Sequence, residues 1–491
     1  MTIRAVLAID EGTTNSKAVL VGENGDILAS GSAPVPTEHP RPGWVQQSAE
    51  DIWSATLEAI RSCLSATPDV DIAALGISNQ RESMLVWDRA TGEPLGPVIT
   101  WQCRRTAATC SALKSAGHEP SVLRLTGLPL DPMFPATKAR WLLENHCQGR
   151  DPADICLGTV DSWLIWNFSG GQAHMTDRSN AARTQLLDIA TGIWDDTLCT
   201  LFGVPKAALP QVTDSSHVFG VTTDVPGLRN GIPIAAAVGD SHAALFGHGA
   251  FGAGDGKITF GTGSSIMTTI PEFIAPPQGI TTTIAWSIGG KMTYALEGNI
   301  LVSAAILPWT AELLGLESVD ALLELAQTVD ECLGVTLVPA HVGLGAPHWQ
   351  ADARGLISGL TFSSGPAHVA RAAAESMAFQ VNDIYRIMAS ATGHGIGRLY
   401  VDGGPSRNPF LMKLVADYLN HPVTMCDNTE ASALGAAYLA GLAAGVWPDL
   451  ATISGLKRSG TELSPDMADE TRARSLENWQ IAITRSTIIN I

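Results

Sequence analysis

Val6-Leu7-Ala8-Ile9 runs into Asp10-Glu11-Gly12-Thr13-Thr14, and Lys17-Ala18-Val19-Leu20-Val21 runs out of it. An apolar run, a polar Gly-Thr turn and a second apolar run predict a β-hairpin with a tight loop. Glycine lets the backbone approach a ligand closely. Successive N–H groups in such a turn form an anion-binding nest, and threonine hydroxyls add donors. Asp10 closes the first strand, where a carboxylate can hold Mg²⁺ directly or through water. A plain hairpin explains one such turn equally well.

The pattern recurs about 250 residues later. Lys257 to Phe260 leads into Gly261-Thr262-Gly263-Ser264-Ser265 and then Ile266-Met267-Thr268-Thr269. A third turn, Asp402-Gly403-Gly404, follows Leu399-Tyr400-Val401 and a predicted helix over residues 366–390. Two equivalent units in two α/β halves predict a nucleotide clamped between two lobes. A further strand is predicted over 27–30, and a helix over 48–64 with Ser48 as N-cap and Asp51 three residues on. Ile72 to Ser78 predicts a strand ending at Asn79-Gln80-Arg81-Glu82. Shorter strands are expected over 85–87 and 98–101, within an α/β alternation. The glycine-rich stretch 246–256 marks the boundary, giving domains 1–247 and 248–491 with a cleft between them.

The chain has 491 residues, 45% hydrophobic and 16% charged, enough for two or more domains with a large core. This composition excludes a mostly disordered chain. Lys+Arg 30 against Asp+Glu 48 leaves a net charge of −18, which repels nucleic acid and anionic membranes. Eight cysteines are scattered with no CxxC pair, as expected of reduced thiols in a cytosolic protein. The N-terminus lacks the long apolar run of a signal peptide. Ala433 to Val446 is apolar but too short to span a bilayer and predicts a buried helix.

Other nucleotide signatures are missing. The nearest approach to GxxxxGK(S/T), Gly252 to Lys257, is one residue short, and no GxGxxG follows the first strand. HRD, DFG, GxSxG and HExxH are absent. Asp240 follows an apolar strand and Gly239, which suits either a helix N-cap or a general base at a cleft. His242 beside it reads as structural. Arg81-Glu82 reads as a surface ion pair or as a donor and acceptor for a polyol. Trp101 is a core residue or a cover for the C–H face of a polyol.

Together these residues resemble the FGGY carbohydrate kinases. The likeness runs from about residue 4 to residue 450. It includes Asp10 to Thr14, Pro42 to Val45, Asn79 to Glu82, Trp101 to Thr106, Thr159 to Trp166, Gly239-Asp240 and Ala243 to Gly247. It continues with Gly261 to Gly263, Tyr294 to Gly298, Gly343 to Pro347, Val401 to Gly404 and Ala433 to Ala437. Both signature stretches of the family are present. They are Met133 to Asn145, with Ala139 at a usually larger position, and Gly355 to Glu375, with Ala374 likewise.

The resemblance implies an actin-like ATPase fold, two ribonuclease-H-like domains around an ATP cleft. It implies ATP and Mg²⁺ as cofactors and phosphorylation of a primary hydroxyl of glycerol or a similar polyol. Asp240 would be the catalytic base, and Asp10 would orient Mg²⁺. Arg81, Glu82 and Trp101 would hold the polyol, with Met133, Ser241 and Ser265 lining its pocket. Thr13, Thr14, Asn15, Lys17, Gly261, Thr262, Gly263, Ala304, Pro308, Gly403, Gly404 and Asn408 would bind ATP. A cytoplasmic homodimer or homotetramer is implied. Five substitutions depart from the glycerol-phosphorylating members: Met133 for Tyr, Ser241 for Gln, Ser265 for Phe, Ala304 for Gly and Pro308 for Gln. Lys17 stands where Arg is usual. The first three remove a phenol, an amide and an aromatic wall, which points to a tetritol, pentitol or ketopentose as the alternative substrate. A catalytically silent polyol sensor and a chaperone-like ATPase are the competing classes.

Overall fold

The computed structural model describes residues 3–67, 70–393, 395–428, 430–456 and 459–488. The opening hairpin forms as its alternation predicts: β1 (Ile3–Glu11) pairs antiparallel with β2 (Asn15–Gly22), and β2 with β3 (Ile27–Pro34). Helix α1 (Ala49–Ser65) starts at Ser48, whose Oγ accepts from the Asp51 N–H. The Asp51 carboxylate is not the reciprocal partner expected from the sequence; Ser48 donates instead to Glu50. Next come β4 (Val70–Asn79), β5 (Ser216–Val221), β6 (Pro233–Gly239) and α2 (Asp240–Gly247).

The second half contributes β7 (Gly256–Phe260), β8 (Ser264–Ile270), β9 (Thr281–Ile288) and β10 (Lys291–Ile300). Helix α3 (Pro366–Thr392) leads to β11 (Leu399–Gly403) and β12 (Val423–Cys426). Helix α4 (Ala431–Ala443) and β13 (Gly460–Leu463) follow.

These strands make one sheet in the order β13-β12-β11-β7-β8-β10-β9-β5-β6-β4-β1-β2-β3. The halves repeat each other. In the first, the antiparallel trio β3-β2-β1 continues into parallel β4 and β6. In the second, β10-β8-β7 continues into parallel β11 and β12. Each Gly-Thr turn therefore sits at the same corner of its half. The halves meet through β5 and β9, at Ser216 and Ile288.

Two helices cross where the halves join, and glycine sets their distance. A Cβ on Gly435 would lie 1.9 Å from the Ala243 carbonyl oxygen, and one on Gly247 would lie 2.1 Å from that of Ala431. No larger residue fits at either point without moving a helix. Helix α4 is apolar on all sides because it is buried on all sides. Its core joins Val6, Ala8 and Val19 of the first half to Met267 and Ala295 of the second.

A separate sheet of Gln46–Gln47, Val98–Ile99, Met84–Asp88 and Ile155–Thr159 stands beside the first half. The strand expected over 98–101 stops at Ile99, so Trp101 lies in a turn. Among the described residues no helix is long and apolar enough to cross a membrane.

Candidate active site

Asp240 is the first residue of α2, directly after β6, with Gly239 as the N-cap. The N-cap alternative for Asp240 is thereby displaced by one residue. Its Oδ1 accepts from the Ser241 N–H at 2.6 Å and forms an ion pair with Arg81 Nε at 3.2 Å. The side chain is 39% open to solvent, with protein on its other sides. Burial raises the Asp240 carboxyl above its ordinary range, and Arg81 opposes the rise. A carboxylate so placed is a better proton acceptor than a free one.

Behind Asp240 lies a shell of buried charge. Arg81 Nη2 reaches Glu297 Oε1 at 2.7 Å, and Arg183 Nη1 reaches Glu297 Oε2 at 2.7 Å. Arg183 Nε donates to Glu82 Oε1 at 2.5 Å. Glu297 and Arg183 are wholly buried. Burial pushes Glu297 up, but Arg183 and Arg81 outweigh it and hold its carboxyl well below the usual range. Glu297 belongs to β10, whereas Arg81, Glu82 and Arg183 belong to the first half. The shell therefore ties the two halves at the site. The surface ion-pair reading of Arg81-Glu82 does not hold, since both residues are buried. Arg81 Nη1 is buried with no hydrogen-bond partner among the described residues.

Glu82 has φ 61°, a left-handed conformation unusual for a side-chain-bearing residue. Buried Lys138 supports it by donating from Nζ to the Glu82 carbonyl at 2.8 Å and to that of Met133 at 2.5 Å. Burial pulls Lys138 down to about 7. Trp101, read from sequence as core or cover, is 38% exposed and donates from Nε1 to Thr13 Oγ1 at 2.9 Å. It thus joins the turn at Trp101 to the first Gly-Thr turn. His242 is buried with both ring nitrogens unpartnered among the described residues, and burial drives it well below its ordinary range. It stays neutral.

Asp10, at the end of β1, accepts from Ser78 Oγ at 2.8 Å. Burial raises it to about 6; Asp240 and Glu430 add to the rise, and Ser78 and Lys17 oppose it. Lys17 does not reach freely toward the turn. Its Nζ donates to both oxygens of Glu430, at 3.0 and 2.9 Å, bridging β2 to the residue before α4. Thr14 and Asn15 are exposed, with the Thr14 carbonyl accepting from the Val35 N–H.

On the opposite side, the turn Gly261-Thr262-Gly263 is stitched to the next segment. Ser303 N–H donates to the Thr262 carbonyl and Ala304 N–H to that of Gly261. Ala304, Pro308, Gly404 and Asn408 line one cavity of about 480 Å³. Asn408 uses Oδ1 to cap helix Pro409–Leu419, accepting from the Leu411 N–H, so its Nδ2 points elsewhere. Gly403 has φ 92°, and a Cβ there would meet the Phe260 carbonyl at 2.0 Å. Ser241 and Ser265 diverge in role. Ser241 Oγ accepts from Lys257 Nζ at 3.1 Å, whereas Ser265 Oγ is buried and unpartnered among the described residues.

Arg183, Glu297, Lys257 and Lys138 are site residues that the motifs did not single out. Lys257 and Glu297 each put a charge inside a largely apolar strand, which must be paired when buried, whereas Lys138 in helix Pro135–His146 and Arg183 just after helix Arg178–Ala182 gave no such signal.

The duplicated strand order with a Gly-Thr turn at each corner is the actin-like ATPase fold. The chain belongs to the FGGY family of carbohydrate kinases, whose N-terminal domain matches residues 5–247 and C-terminal domain residues 256–444. It is an enzyme that transfers a phosphoryl group to an alcohol. It is 44% identical to the apulose kinase of Pectobacterium atrosepticum, with 98% of each chain covered. It is 45% identical to the glycerol kinase of Rhodopirellula baltica, with 99% of this chain and 91% of that one covered. The structure of Plasmodium falciparum glycerol kinase with ADP superposes with a TM-score of 0.94 at 30% identity, covering 99% of both chains. A ligand-bound xylulose kinase from Lactobacillus acidophilus shares the fold, with a TM-score of 0.88 at 24% identity and 98% of both chains covered.

Proposed function

We propose that this kinase phosphorylates a primary hydroxyl of glycerol or a closely related polyol, with Asp240 as the general base. The Arg81–Asp240 contact, backed by Glu297, carries the reading: it fixes a partly open proton acceptor beside a buried, charge-paired guanidinium. Arg81 and Glu82 bind substrate hydroxyls, and Trp101 covers its C–H face. Asp240 takes the proton of the attacking hydroxyl. N–H groups of the turns at Gly12-Thr13-Thr14 and Gly261-Thr262-Gly263 cradle the phosphates, aided by Asn15 and Gly403. Lys17 stays with Glu430 and acts there as a neighbouring charge. Ala304, Pro308, Gly404 and Asn408 hold the nucleoside. Residues 1–247 and 248–491 form the two lobes, and their closure excludes water.

The residues at Asp10 fit Mg²⁺. A carboxylate crowded by Asp240 and Glu430 carries excess negative charge that a divalent cation relieves. Among the described residues no group of three or more His, Cys, Asp or Glu side chains converges, and Mg²⁺ sites at phosphates commonly take only one or two carboxylates from the protein. Bound there, Mg²⁺ would offset the charge that spreads over the phosphoryl oxygens. Asp10 must be ionised for this role. Its raised value of about 6 means that it takes up a proton as pH falls through that region. The concentration of Mg²⁺ giving half-maximal rate is therefore expected to rise as pH drops from 7 to 5. Magnesium titrations of the rate at several pH values check this; a flat dependence removes Asp10 from the role.

A second reading is favoured by Ser265. Its small side chain stands where the glycerol-phosphorylating members carry Phe, which leaves a lower wall beside the pocket. With Met133 and Ser241 also departing from the glycerol pattern, a tetritol, pentitol or ketopentose fits, and the apulose kinase relative acts on a sugar. The test is ADP release with Mg-ATP across glycerol, erythritol, xylitol, ribitol, xylulose and ribulose. Best turnover with glycerol supports the first reading; best turnover with a four- or five-carbon substrate supports the second. In the latter case Ser265→Phe is expected to shift preference toward glycerol by about tenfold or more. The same proposal takes the enzyme as cytoplasmic, as a homodimer or homotetramer, and as indifferent to nucleic acid, consistent with its net charge of −18.

A further inference from the structure

On the side of the molecule reached by the β2–β3 turn, a cavity of about 570 Å³ opens between the end of α2, β11, β12 and α4. His248, Tyr400 and Cys426 lie on its wall. His248 faces two partners. Its Nε2 bonds Asp402 Oδ2 at 2.5 Å, and its Nδ1 lies 3.3 Å from Cys426 Sγ. The ring stacks on Tyr400, with centroids 5.4 Å apart and planes within 11°. This is a thiol, an imidazole and a carboxylate in line, assembled from three separate segments. Burial pushes His248 down, but its bonds to Asp402 and Cys426 outweigh that and raise it to about 9. Reactive cysteines sit in electropositive, partly exposed surroundings, and Cys426 has both.

Two further observations give the cluster a use. Of the eight cysteines, seven are buried, and Cys426 alone is partly exposed. Burial lifts the thiols of Cys63, Cys156 and Cys199 to about 11, leaving them poor nucleophiles. The cluster is also wired to the active site. Asp402 is hydrogen-bonded by Thr259. Thr259 Oγ1 accepts from Lys257 Nζ at 2.6 Å, and that same Nζ donates to Ser241 Oγ at 3.1 Å. Ser241 N–H in turn donates to Asp240 at 2.6 Å. An unbroken polar chain thus runs from Cys426 to Asp240. Asp402 also opens the Asp402-Gly403-Gly404 turn beside the nucleotide cavity.

We propose that Cys426 is a site of reversible oxidation by hydroperoxides, and that its oxidation lowers kinase activity through His248 and Asp402. The thiolate sulphur attacks one peroxide oxygen, an S–O bond forms and the O–O bond breaks. Sulphur is oxidised by two electrons to the sulphenic acid, and the peroxide is reduced. The departing hydroxide, or the alkoxide of an organic hydroperoxide, takes the proton of the His248 imidazolium and leaves as water or the alcohol. The sulphenic hydroxyl takes the place of the sulphur against His248 Nδ1, and the added oxygen occupies the wall between α2 and β12. Both changes disturb the Asp402-Gly403-Gly404 turn. The inference rests on the kinase reading only for its activity arm.

The test uses the full-length enzyme with hydrogen peroxide and a sulphenic-acid trap, read by peptide mass, alongside the ADP-release assay. Cys426 is expected to be labelled at least about tenfold faster than any other cysteine. Activity is expected to fall by about fivefold or more in step with labelling, and to return with dithiothreitol. Cys426→Ser is expected to keep its activity under peroxide, and His248→Gln to slow labelling about tenfold. Faster labelling of another cysteine, full activity in the labelled enzyme, or equal inactivation of Cys426→Ser overturns the proposal. The mass readout stands whichever polyol is the substrate, so a wrong substrate assignment is told apart from a wrong site.

Discussion

Asp240→Asn is expected to lower kcat about 10³-fold while leaving the KM for the polyol nearly unchanged. A positioned general base contributes about 10²- to 10⁴-fold, and an amide cannot accept the proton. The substitution is close to isosteric. The Asn oxygen can still accept from the Ser241 N–H, and the Arg81–Glu297 pair remains. Binding should therefore survive while chemistry fails. The ADP-release assay at saturating polyol measures this directly. Retention of more than about a tenth of kcat would remove Asp240 as the base. A silent sensor would show no turnover to lose, and a chaperone-like ATPase would hydrolyse ATP without any polyol.

Glu297→Ala is expected to destabilise the protein by about 3–5 kcal/mol, because it strips two buried guanidinium groups of their shared carboxylate. Arg183 would keep Glu82, and Arg81 would keep Asp240. Urea denaturation of the wild type and the variant gives the difference. Glu297→Gln keeps the shape and isolates the electrostatic role. With the charge of Glu297 gone, Arg81 acts more fully on Asp240, whose carboxyl it already lowers. The acid limb of the kcat–pH profile is then expected to move to lower pH. A limb that stays in place or moves upward would mean that Glu297 does not act through Arg81. Since Glu297 comes from β10 and its partners from the first half, both variants should also loosen the contact between lobes.

The Asp10 titration and the Ser265 substrate shift test the other wall of the site. If Asp10 behaves as expected while Ser265→Phe leaves substrate preference alone, the nucleotide side stands and the polyol pocket must be redrawn around Met133.

The local features of this protein were legible in its sequence. Both Gly-Thr turns, the Ser48 cap, the long helix before β11 and the buried helix at α4 all follow from short-range rules. Alternation, glycine placement and capping act within a few residues, so the sequence states them openly. The repetition of one turn pattern in both halves was enough to imply two lobes and a clamped ligand. The strand predicted over 98–101 ends at Ile99, because the Trp101 N–H leaves the ladder and donates to Ser83 Oγ.

What only the tertiary structure decided is which charges meet. Arg183 and Glu82 are 101 positions apart, and Cys426 and His248 are 178 apart. No periodicity links such pairs, and their free energy depends on burial that the chain acquires only when its halves close. Lys17 shows the same limit, since its position beside the phosphate turn gave no sign that Glu430, 413 positions away, would take its ammonium. The sequence by itself determined the turns, the elements and the class of chemistry, because these rest on local backbone geometry. The folded structure decided the partners of the buried charges, because a desolvated charge is stable only where the fold brings an opposite one to it.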